Sequence, residues 1–147
     1  MIKWTNMQNE WWEGTFESNI FHNEDDEPEL SIGIENSSLA DYAEKCVVSL
    51  NTLQEQVINE ICEGITECAK QGGIDGNFEL PENDNVLDIL KYCWFSMVYV
   101  GTPESDDLIS YVVEGEGEWG EVIGFAIEND KVVYVGVDYL EYINSER

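Results

Sequence analysis

Four short segments in the C-terminal part of the sequence have the composition of β-strands. They are rich in Val, Ile, Tyr and Phe, and turn-forming residues separate each from the next. Such side chains favour an extended backbone, and short connections favour antiparallel neighbours. This part of the chain therefore predicts an antiparallel meander. The predicted strands are residues 94–101, 108–114, 122–128 and 131–137.

The last two of these segments predict a hairpin with two apolar faces. Residues 129–130 (Asn-Asp) suit a two-residue turn, which sets Glu128 opposite Lys131 and Phe125 opposite Tyr134. The side chains on both faces of this pairing are mostly apolar, whereas a sheet with one solvated face alternates apolar and polar residues. We therefore expect helices to cover one face, and the N-terminal strands or a second chain to cover the other.

The middle of the sequence has the period of helices. Apolar residues recur at spacings of three and four over residues 39–50 and 53–69, and a shorter apolar run covers 86–93. Thr52 followed by Glu55 has the spacing of a capping box, which predicts the start of the second helix. Two long helices and one short helix are therefore expected.

Glycines add detail to the second helix. The pair Gly72-Gly73 predicts its C-terminal end, because glycine readily takes the left-handed conformation there. Gly64, inside the helix, costs about 1 kcal/mol relative to Ala. A close approach of another element at Gly64 would account for that cost.

Residues 10–36 predict a pair of strands, in which the acidic stretch 22–29 joins a Trp- and Phe-rich segment to residues 30–34. The combined patterns predict an α+β fold, with an antiparallel sheet of four to six strands and two or three helices packed mainly on one face. The whole chain, residues 1–147, is expected to form a single domain. Its parts are the N-terminal strand pair 10–36, the helical segment 38–93 and the C-terminal meander 94–143.

The formal charge of −26 limits the partners that such a domain can bind. It arises from 32 acidic and 6 basic residues, and the acids are spread along the whole chain. The 43% hydrophobic content excludes a disordered acidic tail. A uniformly negative surface repels nucleic-acid phosphates and anionic lipids. We expect no direct binding to nucleic acid or membranes, and a basic protein as partner; the alternative is that the charge serves only solubility.

The sequence contains no apolar run long enough to cross a membrane, and its first ten residues lack the features of a signal peptide. A cytoplasmic location is therefore expected. The cysteines lack zinc-binding spacing, and three of them fall within helical patterns, so we interpret them as small buried side chains. They are Cys46, Cys62, Cys68 and Cys93.

No constellation of residues indicates catalysis. His22 is the only histidine, and it begins the acidic stretch, where it suits neither nucleophile activation nor metal binding. Pairs of carboxylates arise by chance among 32 acids, and residues 75–77 and 82–85 lack the register of a calcium loop. We therefore predict a non-enzyme without a cofactor or metal site; a small metal-dependent hydrolase is the least favoured alternative.

Two segments have the composition of a recognition surface. Residues 114–121 alternate glutamates with glycines around one tryptophan, and residues 10–13 read Glu-Trp-Trp-Glu. Glutamates beside an aromatic anchor suit a basic partner. Adjacent tryptophans in a strand point to opposite faces, so core packing is the competing interpretation for each ring. The candidate partner-binding residues are Glu114, Glu116, Glu118, Trp119, Glu121, Trp11 and Trp12.

Four blocks of the sequence resemble small acidic bacterial proteins of a domain-of-unknown-function family, found especially in gut Firmicutes. The blocks are residues 41–46 (DYAEKC), 88–95 (DILKYCWF), 116–125 (EGEWGEVIGF) and 133–139 (VYVGVDY). No motif of this family is tied to an activity. In size and charge the chain also resembles cytoplasmic immunity proteins, which protect a bacterium by occluding a toxin that is often a basic nuclease.

These observations give one leading functional hypothesis and two alternatives. The leading hypothesis is a non-enzymatic acidic protein that neutralises a basic toxin or effector by occlusion, with mimicry of DNA against a DNA-binding protein as a variant. The first alternative is a structural or interaction domain that self-associates, for example as a homodimer, and uses its charge for solubility. The second is the metal-dependent hydrolase.

Overall fold

The computed structural model describes residues 1–8, 10–71, 85–105 and 107–143. The strands of this part of the chain are β1 (Lys3–Asn6), β2 (Trp12–Glu17), β3 (Glu29–Ile34), β4 (Cys93–Val100), β5 (Ser110–Gly117), β6 (Val122–Glu128) and β7 (Lys131–Gly136). The α-helices are α1 (Ala40–Asn51) and α2 (Glu55–Lys70). Three 3-10 helices cover Ser37–Leu39, Val86–Tyr92 and Tyr139–Tyr142.

The strands form one sheet in chain order, from β1 to β7. The predicted α+β class is confirmed, but the sheet has seven strands rather than four to six, and it is mixed rather than antiparallel. β3 and β4 run parallel, with Ser31 opposite Met97 and Ile34 opposite Val100. The helical segment between them makes this pairing possible, since parallel neighbours need a crossover of a dozen or more residues.

β1 is the strand that the sequence did not predict. It pairs with β2, and Lys3 lies opposite Thr15. Ile2 is buried beside it, and the rings of Trp4 and Trp12 meet edge to face with their centroids 5.6 Å apart. Two apolar residues in alternate positions are too short a pattern to indicate a strand.

The two α-helices lie where the apolar spacing predicts them, but the predicted capping box is wrong. The hydroxyl of Thr52 donates to the carbonyl of Val48 at 2.6 Å, so it closes the end of α1 instead. α2 begins after Gln54, whose side chain makes no capping hydrogen bond. The predicted end of this helix at Gly72-Gly73 lies outside the described residues.

One face of the sheet, the helix face, packs against α1 and α2. Its fully buried side chains include those of Ile32, Phe95 and Phe125, and they share one apolar core with Ile61 and Ile65 of α2. Where α2 crosses β7, no side chain separates Gly64 from the strand. A Cβ atom at Gly64 would lie 2.7 Å from the Cβ of Val135. This is the close approach that the glycine inside the helix suggested.

The turn of the β6–β7 hairpin is as predicted. Asn129 and Asp130 both have positive φ, at 50° and 64°, which is the conformation of a type I′ turn. Glu128 lies opposite Lys131. The side chain of Asn129 also accepts a hydrogen bond from the backbone N–H of Ile109 at 2.9 Å, so the turn is fixed to the start of β5.

Beyond the turn, the predicted register is wrong by one residue. A bulge at Val133 leaves Phe125 opposite Val135 rather than Tyr134. Because side chains alternate along a strand, one extra residue exchanges the faces of everything after it. Val135 therefore packs into the helix-face core, and Tyr134 lies on the other side of the sheet.

The other side of the sheet is called the open face below. At β5 and β6 the chain's own C-terminal 3-10 helix covers it, because Tyr139 is buried against Val112 and Ala126. Of the two coverings expected for this face, the N-terminal strands are wrong, since they extend the sheet at its edge instead. A second chain stays a prediction. Toward β2 and β4 the side chains of the open face are half-exposed.

The cysteines are free thiols in the interior, as interpreted from their spacing. Cys46, Cys62 and Cys93 are buried, and Cys68 is half-buried. Burial raises the pKa of each of the three buried thiols to about 12. No helix in the described parts of the chain combines the length and the apolar character needed to cross a membrane.

Candidate protein-binding face

The seven residues that the sequence suggested as a binding site are divided among three places in the fold. Trp12 and Trp119 pack on the helix face, and Glu118 and Glu121 lie in the turn between β5 and β6. The other three lie on the open face. They are Trp11, Glu114 and Glu116.

Trp119 is part of the core in this fold. Its side chain is 2% exposed. A Cβ atom at Gly117 would lie 2.3 Å from the indole, so the ring occupies the space that this glycine leaves. A partner at the surface therefore does not reach this ring, and the geometry is that of core packing.

The two adjacent tryptophans point to opposite faces, as the alternation of a strand requires. Trp12 is half-buried among the residues of the helix-face core, next to Trp4. Trp11 is 37% exposed and lies against Gly33 on the open face. Trp11 is therefore the ring of this pair that a partner can reach.

The first half of the glycine- and glutamate-rich segment, residues 114–117, is strand, and the second half is a turn. β5 continues to Gly117, and its alternation places Glu114 and Glu116 on the open face. The remaining turn is held by backbone hydrogen bonds: the N–H of Glu118 donates to the carbonyl of Tyr92 at 2.8 Å, and that of Gly117 donates to the carbonyl of Glu121 at 3.0 Å. Glu118 and Glu121 thus belong to the turn and not to the strand.

The sheet fixes the position of Trp11. A Cβ atom at Gly33 would lie 2.4 Å from Cζ2 of the indole, so only glycine allows the ring to lie this close to β3. The indole Nε1 donates to Oε1 of Glu13 at 3.0 Å. The ring is therefore held from beneath by the backbone and at its edge by a carboxylate.

Tyr99 and Glu114 continue the open face from Trp11 toward the C-terminal 3-10 helix. Tyr99 lies opposite Gly33 in the sheet. Its hydroxyl donates to Oε1 of Glu114 at 3.3 Å, and the hydroxyl of Tyr139 donates to Oε2 at 2.7 Å. Burial, reinforced by Glu114, raises the pKa of both tyrosines, so both remain protonated donors.

A second bulge completes this surface. In β4 the pairing shifts between Phe95 and Met97, so Ser96 is the extra residue. Regular alternation would place Trp94 on the face of Val98, which is buried in the core. The bulge instead places Trp94 with Met97 and Tyr99, all half-exposed.

Sequence reasoning missed four residues of the open face. The signal for Glu13 was present, because it belongs to the Glu-Trp-Trp-Glu segment. For the three residues of β4, no pattern in the sequence shows that a bulge brings their side chains to one face. The four are Glu13, Trp94, Met97 and Tyr99.

The carboxylates of the open face have no cationic partner in the described part of the chain. The ion pairs found there join Lys70 to Glu67 and Lys91 to Asp88, and Nδ1 of His22 lies 3.5 Å from Oδ1 of Asp26. None of them involves Glu13, Glu114 or Glu116. The open face therefore combines carboxylates that form no ion pair with aromatic rings, which is a surface suited to cationic side chains.

His22 links two parts of the fold. Nε2 of His22 lies 2.7 Å from the carbonyl of Leu90, and Nδ1 lies 3.0 Å from that of Asn23, so the ring joins the acidic stretch to the second 3-10 helix. Over the described residues, no three His, Cys, Asp or Glu side chains come together as a group that could hold a metal ion.

One protein family matches this chain, over residues 3–141, and it is described as a domain of unknown function. No curated protein and no solved structure matches the chain. The matched range includes all seven strands and both α-helices. The chain belongs to the family Domain of unknown function (DUF6985).

Proposed function

We propose that this protein is a non-enzymatic acidic protein that binds a basic protein partner on the open face of its sheet. The partner is a toxin or effector, for example a nuclease, and binding neutralises it by occlusion, as an immunity protein does. The observation that carries this proposal is the open face itself, where Glu13, Glu114 and Glu116 lie unpaired by cations among the rings of Trp11, Trp94 and Tyr99.

The charge and the rings have different roles in such a complex. A net charge of −26 attracts a cationic partner over a long range and accelerates its association. Aromatic side chains at the centre of an interface supply apolar contact and slow dissociation. The open face has both features within a few strands, whereas the exposed side of α2 has charge without aromatic rings.

Self-association is less well supported by this surface. Pairing two open faces would bring the carboxylates of one copy against those of the other, and like charges in an interface cost several kcal/mol. The most apolar part of this face is already covered by Tyr139. A cationic partner neutralises the carboxylates of the open face, whereas a second copy adds the same negative charges to the interface.

An immunity role also has consequences for the source and location of the protein. It implies a bacterial protein, of the gut Firmicutes type that the sequence resembles, and a cytoplasmic location where the toxin domain would act. The DNA-mimic variant uses the same surface, so the identity of the partner distinguishes the two.

Affinity purification of the tagged protein from its native host tests this proposal. The purification is done at about 50 and 500 mM NaCl, where the screening lengths differ about threefold, and captured proteins are identified by mass spectrometry. Three baits are compared: the wild type, the open-face variant Glu13→Gln/Glu116→Gln, and the α2 variant Glu60→Gln/Glu63→Gln. Both variants lose the same charge, and all four glutamates are at least partly exposed.

The proposal predicts one near-stoichiometric basic protein with the wild type and the α2 variant, and much less of it with the open-face variant. Expressed alone, that protein should be toxic, and co-expression of the wild type should restore growth. If only salt-labile ribosomal and nucleoid proteins are captured, equally by all three baits, the charge serves solubility and the proposal is wrong.

A further inference from the structure

The open face carries a rigid aromatic platform with a carboxylate at its edge. We propose that Trp11 and Glu13 form a docking site for an arginine side chain of the partner. This inference rests on the proposed function, because it names the chemical group that the open face recognises. It adds a specificity that net charge alone does not give.

The platform is formed before any partner binds. The indole of Trp11 lies directly against Gly33: a Cβ atom at residue 33 would lie 2.4 Å from Cζ2 of the ring. The indole therefore cannot move closer to β3. The bond from its Nε1 to Glu13 fixes its rotation. Because 37% of Trp11 is exposed, part of this side chain is open to a ligand. A rigid site avoids the entropy cost of ordering its own groups.

The carboxylate of Glu13 can accept a further hydrogen bond from a ligand. Oε1 accepts the indole N–H at 3.0 Å. No other described residue donates a hydrogen bond to this carboxylate, and no described cation lies within 4.0 Å of it. A guanidinium stacked on the indole can donate to Oε2, which makes a charge-assisted hydrogen bond in addition to the cation–π contact.

The neighbouring groups strengthen the site for a cation. On the far side of Gly33 stands Tyr99, and the negative charges of Glu114 and Glu13 both act on its hydroxyl. The rings of Trp11 and Tyr99 therefore lie between two carboxylates. Arginine suits this arrangement better than lysine, because its guanidinium is planar, stacks on aromatic faces and is weakly hydrated.

Peptide probes test the inference without knowledge of the natural partner. A blocked tetra-arginine peptide and the tetra-lysine peptide of equal length and charge are titrated into the protein, and the Kd and the chemical shift of the Trp11 indole N–H are measured by NMR. Four proteins are compared: the wild type, Trp11→Leu, Glu13→Gln and the charge-matched control Glu63→Gln on α2.

The wild type should bind the arginine peptide roughly two- to fivefold more tightly than the lysine peptide, which is the range of an exposed cation–π contact. Trp11→Leu should abolish this preference and leave the lysine affinity nearly unchanged. Glu13→Gln should weaken both peptides, and Glu63→Gln should change neither the preference nor the indole shift. Trp11→Phe, which keeps an aromatic ring, should retain part of the preference. This variant still tests the site if Trp11→Leu alters the fold.

Two failures have separate meanings. Equal affinity for both peptides, or a preference that persists in Trp11→Leu, overturns the arginine site; the proposed function survives this result if Glu13→Gln still weakens binding more than Glu63→Gln. If those two variants weaken binding equally, the peptides are held by net charge alone, and both the arginine site and the open-face proposal are wrong.

Discussion

The hydroxyl of Tyr139 donates a hydrogen bond of 2.7 Å to Oε2 of Glu114, and this bond joins the C-terminal 3-10 helix to the open face. Tyr139 is buried, while Glu114 is half-buried. The same carboxylate therefore helps to cover one end of the face and supplies negative charge at its centre.

Removing this hydroxyl should destabilise the fold. Tyr139→Phe leaves the half-buried carboxylate with the longer bond from Tyr99 as its side-chain partner, and a bond to a charged group contributes about 1.5–3 kcal/mol. We expect a loss of about that size in the free energy of unfolding, measured by urea denaturation. Tyr142→Phe is the control, because its ring is exposed and stacks on Tyr134. Equal stability of the two variants would contradict this role of Tyr139.

The alkaline limit of stability should depend on Tyr42. Its hydroxyl bonds to the backbone at Ser110 and Leu108. Burial, the largest cause, raises the pKa of Tyr42 from 10.0 to about 12. Because the folded state holds this proton more tightly, the stability it contributes is complete below pH 10 and is lost as the pH rises toward 12.

This pH dependence can be isolated with one variant. Tyr42→Phe should show a smaller loss of unfolding free energy between pH 10 and 12 than the wild type, although it is less stable at neutral pH. Urea denaturation at a series of pH values measures the difference. Parallel pH profiles for the two proteins would show that Tyr42 is not the group responsible.

At Gly64 the usual effect of alanine in a helix should reverse. Gly→Ala inside a helix normally stabilises by about 1 kcal/mol. Here the added Cβ would lie 2.7 Å from the Cβ of Val135, and overpacking of this kind costs about 1–3 kcal/mol. We therefore expect Gly64→Ala to lower the melting temperature. In the background Val135→Gly, which removes the opposing Cβ and both γ-methyl groups, the same change should cost less or become favourable; an equal cost in both backgrounds would contradict the contact.

The thiols should be nearly inert in the folded protein. The pKa of each cysteine is raised, chiefly by burial, so few thiolates form at neutral pH. With a disulfide reagent, we expect slow reaction at half-buried Cys68 alone, and rapid reaction of all four thiols after denaturation. Fast native reaction of Cys46, Cys62 or Cys93 would show that the core opens more readily than its packing indicates.

Much of the fold follows from local patterns in the sequence. α1 and α2 lie close to their predicted positions because each has a long apolar pattern of helical period. The four C-terminal strands do so because each is rich in β-branched and aromatic residues and is bounded by turn residues. The parallel pairing of β3 with β4 and the short strand β1 were not predicted, since they depend on contacts between distant segments rather than on a local pattern.

The candidate site was less predictable than the fold because two bulges decide its composition. The extra residues Ser96 and Val133 exchange the faces of the positions beyond them, so Trp94 and Tyr134 lie on the open face. Trp11 could be predicted as a candidate, because it is adjacent to Trp12 and adjacent residues of a strand point to opposite faces. That Gly33 leaves room for its ring becomes visible only when β2 and β3 are paired.

The most direct measurement of the central claim is the association rate constant with the captured basic partner, determined by stopped-flow fluorescence from about 50 to 500 mM NaCl. The wild type, Glu13→Gln/Glu116→Gln, Glu118→Gln/Glu121→Gln and Glu60→Gln/Glu63→Gln are compared. We predict a steep fall of the rate with salt, and the largest slowing at low salt in the open-face variant. A rate independent of salt, or equal slowing by all three charge-matched variants, would contradict the assignment of binding to the open face.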